Sequence, residues 1–483
     1  MITGILIILP LLFSLVVFSL KDEKWIRRMA VTGSVLEFLV SLYGLFLYST
    51  QCHCQLLLNI GWIESLHISF RFGLDGISLL LVLLTTFLTP LIILSSLDHP
   101  YRKPSAFYGL ILLMEMAFIG VFSASDGLLF YIFWEMALIP AYFICAVWGG
   151  NDRIRITFKF FIYTFTGSLF MLVALIYLYL HTPAPHSFEI TYLYAAHLTA
   201  PEQIWIFAAF FLAFAIKIPI FPFHSWQPDT YTEAPAGGTM LLAGIMLKMG
   251  TYGLIRFVLP ICPVALKEWG WIALTLSVIG IIYASVIAIR QSDLKRFIAY
   301  VSIAHVGLIS AGIFALTPKA LEGAVIQMVS HGINITGILI IISLIEKRMK
   351  TREIPQIEGM ANRAPWLAAL FMILLLGSIG LPLTNGFIGE FLLLLGIFER
   401  NVWMAAIAGM TIILSAVYML RMYQRTMLGK LREESPEISD ISLAEAVPLI
   451  PLVIMVIWIG IFPNFFLQLA EPAIREIMNL IHG

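Results

Sequence analysis

Fourteen stretches of about 20 apolar residues dominate this sequence, near 2–20, 29–49, 75–97, 105–124, 127–148, 157–180, 203–222, 236–259, 270–289, 296–316, 320–345, 365–398, 402–425 and 445–469. Each is long enough to cross the hydrocarbon core of a bilayer as a helix. In lipid every backbone polar group must be satisfied inside the protein, so such a chain folds as a bundle of spanning helices. Composition supports this, since only 12% of the 483 residues are charged, against about 25% in a soluble domain. The expected fold class is an all-α polytopic membrane protein with about 14 transmembrane helices. Net charge is zero, with 29 basic and 29 acidic residues, which implies no nucleic-acid affinity.

The first stretch, "MITGILIILPLLFSLVVFSL", is long enough to span and has no small-residue cleavage site before "KDEKWIRR". It is expected to be a retained first helix and not a cleaved signal. Four cysteines, Cys52, Cys54, Cys145 and Cys262, do not make a disulfide framework for so large a chain. "QCHCQ" (51–55) packs two Cys and one His too tightly for the usual zinc spacings. It reads as a solvated loop, and no metal site is expected.

Lysine and arginine set the orientation, because short cytoplasmic loops hold an excess of them. With the N-terminus outside, the cytoplasmic loops carry 21 and the outer segments 5, leaving Lys217, Lys248 and Arg256 within spans. Both termini are therefore expected on the non-cytoplasmic side. Spans 4 to 8 fill 105–259 and spans 9 to 13 fill 270–428. Each block crosses five times, an odd number, so the second enters from the opposite face: an inverted repeat. The expected organisation is a three-helix segment (1–104), two five-helix repeats acting as half-channels (105–259 and 270–428), and a last helix with its tail (429–483).

The fourth span of each block is interrupted. "AFAIKIPIFPFHSW" (213–226) holds Pro219 and Pro222, and "GSIGLPLTNG" (377–386) holds Pro382. Each proline removes a backbone donor and clashes with the preceding turn. Paired broken spans at matching positions of two halves point to the ion site of a transporter. Helices 7 and 12 are thus the expected broken helices.

Ionisable residues lie deep within several spans: Glu115, Glu135, Lys217, Lys248, His305, His331 and Glu390. A central lysine costs about 2.5–3.5 kcal/mol on insertion scales, so such groups usually face a wet interior and mark a proton or ion path. A Glu–Lys pair of variable separation is a switch: close together both stay ionised, and apart the lysine tends to release its proton. Histidine titrates near neutrality and passes protons between such groups. The duller reading of His331 is a hydrogen-bonded core histidine. Glu115 is equally a relay member or a structural group. Arg256 and Glu37, near span ends, read as snorkelling, and Asp75 as a helix N-cap. No phosphate-cradling glycine loop, dinucleotide fingerprint, iron–sulfur cysteine cluster or nucleophile elbow is present in the sequence, so no redox step is expected on this chain.

Five segments carry a resemblance: "FGLDGISLLLVLLTTFLTPL" (72–91), "LLFYIFWEMALIPAYFI" (128–144), "KIPIFPFHSWQPDTYTEAPAGGTMLLAGIMLKMGTYGLIR" (217–256), "QSDLKRFIAYVSIAHVGLI" (291–309) and "GLPLTNGFIGEF" (380–391). They resemble the chain M family of NADH–quinone oxidoreductase (respiratory complex I), the subunit 4 homologues among antiporter-like membrane subunits. The resemblance runs from about residue 60 to 430. It implies that Glu135 and Lys217 form the paired charge, that Lys248 is the central relay residue, and that His305 and His331 belong to the axis toward the second half. Glu390 would be the terminal exchange residue. Sister antiporter-like chains typically have lysine there, so glutamate favours chain M. The resemblance also implies a proton-translocating subunit of a bacterial inner (plasma) membrane complex, beside other antiporter-like chains. NADH, FMN, iron–sulfur clusters and quinone are then expected on other subunits, with no cofactor bound here. The alternatives are a subunit of a multisubunit sodium/proton antiporter, or a non-pumping membrane scaffold.

Overall fold

The computed structural model describes residues 2–48, 55–63, 67–430 and 438–482. Cys52, His53 and Cys54 of the expected solvated loop lie outside the described residues. The chain begins with the antiparallel pair α1 (Ile2–Ser19) and α2 (Glu23–Leu47). The Asp22 carboxylate opens α2 by accepting from the Lys24 and Trp25 N–H groups, satisfying donors that have no partner within the helix.

A β-hairpin follows, β1 (Gln55–Ile63) and β2 (Ile68–Leu74), pairing Leu58 with Phe72 and Ile60 with Phe70. The hairpin is a small addition to an all-α fold that otherwise stands as expected. The signal was the period-two alternation in "ISFRFGL", where Ile68, Phe70, Phe72 and Leu74 share one face. It is too short to register among runs of 20 apolar residues.

The next helices are α3 (Gly76–Ser96), α4 (Pro104–Ser123), α5 (Gly127–Trp148), α6 (Arg153–His181) and α7 (Ala200–Lys217). After a break the chain resumes as α8 (Trp226–Glu233) and then α9 (Ala236–Ile261). The second block holds α10 (Pro263–Arg290), α11 (Leu294–Ala315), α12 (Pro318–Met349), α13 (Pro365–Ile379), α14 (Asn385–Arg400) and α15 (Val402–Met427). The chain ends in α16 (Leu443–Ile461) and α17 (Asn464–His482). Among the described residues 13 helices are long and apolar enough to span. α13 and α14 together supply the fourteenth crossing, so helices 7 and 12 are both split where the prolines fall.

Depth in the bundle separates two kinds of helix. α9, α11 and α12 bury nearly every side chain, whereas α1, α2, α6 and α15 turn Leu12, Phe46, Val173 and Ile413 outward. The buried helices are those that carry Lys248, His305 and His331. One expectation fails at the C-terminus. The last span was read to residue 469, but it stops at Ile461, and Pro463 is followed by a separate amphipathic helix. In α17 Ala470, Ile474, Ile477 and Ile481 are buried while Glu471 and Arg475 pair on the outside. The recurrence at three and four residues is the helical period. α17 lies against the start of α3, where a Cβ on Gly76 would stand 1.6 Å from the Leu469 carbonyl oxygen.

Candidate functional site

α7 ends at Lys217 because Pro219 follows, and residues 218–225 turn back before α8 begins. The Trp226 indole N–H donates to the Ile216 carbonyl over 2.8 Å, closing one backbone group that the break leaves free. Lys217 is buried with its Nζ unbonded, 5.1 Å from the centre of the Trp134 ring. A cation over a tryptophan face gains about 0.5–2 kcal/mol, more when desolvated. Trp134 precedes Glu135 on α5, which brings Glu135 within electrostatic reach of Lys217. Neither the Lys217 Nζ nor the Glu135 Oε1 has a hydrogen-bond partner. The pair is held in its separated arrangement.

Lys248 sits on α9 between two π-helical segments, Leu242–Met246 and Leu254–Val258. Such widened turns concentrate at functional sites because they free backbone groups. Here the Lys248 ammonium donates to the Ala243 carbonyl at 2.6 Å and to Nδ1 of His331 at 2.8 Å. With Nδ1 accepting, the neutral ring carries its proton on Nε2, and that nitrogen faces the Ser302 hydroxyl at 3.2 Å. His331 therefore bridges Lys248 to Ser302. The His305 ring lies 5.9 Å from that of His331.

On its far side His305 places Nδ1 3.3 Å from Oε1 of Glu390, with Ser378 Oγ 3.5 Å from Nε2. Glu390 belongs to α14, beyond the second break. There Gly380 (φ +79°) turns the chain, and its Cα hydrogen side faces the carboxylate: a Cβ would meet Glu390 Oε2 at 2.7 Å. Across the break Asn385 ties α14 to α12, accepting from Asn334 at 3.1 Å and, through its carbonyl, from the Ser330 hydroxyl at 3.1 Å. Lys248, His331, His305 and Glu390 thus form one buried row, with Glu135 and Lys217 standing at the first break.

Sequence reading missed several members. Gln227 and Tyr231, one turn apart on α8, are buried, and the Tyr231 hydroxyl stands near Gln227 and Ser302. Gln227 lies just past the first break, and Ser302 beside Tyr231 is also the hydroxyl that faces His331. Buried Tyr418 and Ser285 lie beside the Glu390 end. The available signal was a polar pair at helical spacing within "SWQPDTYTE". Two snorkelling readings are also corrected. Arg256 pairs with Asp75 and donates to Ser78 Oγ at 3.3 Å, in a cavity of about 180 Å³ that Tyr252 and Tyr194 also line. Asp75 still caps α3, accepting from the Ser78 N–H at 2.9 Å. Glu37 is wholly buried midway along α2. Glu115, also buried, makes no contact with the row among the groups that surround it.

Two broken helices set against a buried row of titratable side chains define an antiporter-like membrane protein. Residues 124–415 match the family described as "NADH:quinone oxidoreductase/Mrp antiporter, TM", and residues 5–122 match "NADH-ubiquinone oxidoreductase chain 4, amino terminus". NADH-quinone oxidoreductase subunit M of Rickettsia conorii is 42% identical, over 99% of this chain and 98% of that one. A chain of respiratory complex I from Thermus thermophilus, solved with bound NADH, is similar with TM-score 0.93, 32% identity and 100% coverage of both chains. A chain of the Mrp complex from Dietzia sp. DQ12-45-1b, at 18% identity and TM-score 0.87 over 100% and 99% of the two chains, shares the fold. The chain belongs to the NADH-quinone oxidoreductase subunit M family, a membrane component of that enzyme complex.

Proposed function

We propose that this chain translocates protons as a membrane subunit of NADH:quinone oxidoreductase, driven by redox chemistry on neighbouring subunits. The observation that carries the reading is the contact of Lys248 with His331, 2.8 Å apart in the buried centre of the protein. A buried ammonium bonded to an imidazole is a proton donor beside an acceptor, and a scaffold gains nothing from placing it there. The two blocks, 105–259 and 270–428, act as half-channels meeting at this contact. Glu135 and Lys217 form the switch at one end, and His305 and Glu390 the exchange site at the other. NADH, FMN, iron–sulfur clusters and quinone belong to other subunits. The partners are those subunits, among them the other antiporter-like chains, in a bacterial inner membrane with both termini on the non-cytoplasmic side.

The test is Lys248→Ala in the purified complex, reconstituted into lipid vesicles. Removing the lysine relieves an insertion cost of about 2.5–3.5 kcal/mol, so complex abundance stays normal. NADH-driven proton uptake should fall strongly. Wild-type uptake would make Lys248 structural. The Mrp-like fold favours a second reading, a cation/proton antiporter, under which exchange would proceed in the vesicles without NADH.

A further inference from the structure

The cavity of about 180 Å³ beside Arg256 opens on the face that carries the β-hairpin and α17, where Arg71, Ser125, Glu189 and Glu476 line it. Its inner wall is Asp75, Ser78, Tyr252 and Arg256. Charge is paired throughout, Arg71 with Glu189 in the more exposed part and Arg256 with Asp75 in the more buried part. Pinning the hairpin and α17 would account for these pairs, but not for the hydrogen bonds behind them. On α9, Lys248, Tyr252 and Arg256 recur every four residues along one side. Tyr252 is one turn from Lys248, about 6 Å along the axis.

The direction of each of these hydrogen bonds follows from what its partners can give. Arg256 only donates, and it reaches Ser78 Oγ at 3.3 Å. The Phe122 carbonyl, in the last turn of α4, only accepts, and it takes the Tyr252 hydroxyl at 3.0 Å. Tyr252 has no second proton to give, so in its 3.0 Å contact with Ser78 the serine is the donor. The chain runs from Arg256 to Ser78 to Tyr252 to Phe122, with every hydrogen pointing away from the arginine. A proton leaving Lys248 for the cavity needs the opposite order, tyrosine donating to serine and serine to the cavity. Arg256 holds the two hydroxyls in the closed sense.

We propose that Tyr252 and Ser78 form a proton outlet from Lys248 to this cavity, and that the Arg256–Asp75 pair is its gate. When the arginine withdraws from Ser78, the two hydroxyls turn round. Lys248, on its flexible four-carbon arm, leaves Nδ1 of His331 and gives one proton to Tyr252 Oη. Tyr252 passes its own proton to Ser78, and Ser78 passes its own to water in the cavity. Each hydroxyl oxygen gains one hydrogen and loses one, and the lysine is left neutral. Lys248 thus stands at a branch between the buried row and the outer face. The outlet rests on the proton-translocating reading.

The complex reconstituted into lipid vesicles tests this through its passive proton conductance, read without NADH under an imposed pH gradient. Arg256→Met keeps a long arm and removes the donor. It should raise that conductance several-fold and lower the protons moved per NADH. Adding Tyr252→Phe or Lys248→Ala to it should return the conductance to the wild-type level. Asp75→Asn still caps α3 but loses the charge that holds the arginine. It should leak in the same way, and it decides the matter if Arg256→Met does not assemble. Tyr252→Phe alone removes one oxygen and should lower the protons moved per NADH without a leak. Tight vesicles from the assembled gate variants overturn the gate. A leak that survives Tyr252→Phe, or a wild-type proton yield in Tyr252→Phe alone, overturns the outlet. Normal pumping by Lys248→Ala overturns the translocating reading and the outlet with it, whereas lost pumping there beside tight Arg256→Met vesicles overturns the gate alone.

Discussion

Among single residues, Glu135 separates function from packing most cleanly. Its Oε1 and the Lys217 Nζ are buried without hydrogen bonds, so what links them is charge. Opposite charges about 6 Å apart at an effective dielectric of about 20 attract by about 3 kcal/mol, roughly a hundredfold in an equilibrium constant at about 1.4 kcal/mol per tenfold. Glu135→Gln keeps the shape and loses that attraction; Glu135→Asp keeps the charge on an arm one methylene shorter. We expect Gln to abolish most NADH-driven quinone reduction and pumping, and Asp to retain much of both, with the complex assembled in each. A structural glutamate would give the reverse order. That reversal would exclude a charge switch at this pair.

Whole elements matter most at the two breaks, where backbone meets backbone. Gly386 opens α14 against the end of α13, and a Cβ there would stand 2.1 Å from the Gly377 carbonyl oxygen. Backbone cannot yield as a flexible side chain can, and forcing one extra methyl into a packed site costs about 1–3 kcal/mol. Gly386→Ala should therefore lower the thermal stability and the amount of assembled complex, both readable after purification. Gly409 on α15 has nothing within 4 Å of its added Cβ. Gly409→Ala should be neutral or slightly stabilising, since alanine favours helix by about 1 kcal/mol over glycine. Equal behaviour of the two variants would mean that the second break is not rigidly packed.

For the molecule as a whole, charge sorts onto two faces. One face binds Lys159 and Arg296 to Asp229, Lys347 to Asp98, Arg348 to Glu445 and Arg352 to Asp293. The opposite face pairs Arg71 with Glu189 and Arg256 with Asp75. Exposed pairs add little stability, about 0–1 kcal/mol each, but the asymmetry of 21 basic residues to 5 orients the chain by the positive-inside rule. A C-terminal reporter active only in the cytoplasm should stay silent. Signal from it would reverse the topology and, with it, the direction of the two proposed half-channels.

Length and hydropathy by themselves determined the number of crossings, because a bilayer demands about 20 apolar residues per helix. The breaks at Pro219 and Pro382 were legible for a similar reason, proline being unable to continue the hydrogen-bond ladder. Lysines, glutamates and histidines within spans pointed to the pathway proposed above, since lipid penalises charge wherever it has no use. What remained hidden depended on neighbours distant in sequence. Position in a span could not show that Arg256 meets Asp75, 181 residues away. Nor could it place Tyr231 beside Ser302, or α17 along the start of α3. Sequence states which side chains are costly to bury; only the packing of helices decides which of them meet, because each turn of a helix offers several faces and tertiary contact selects one.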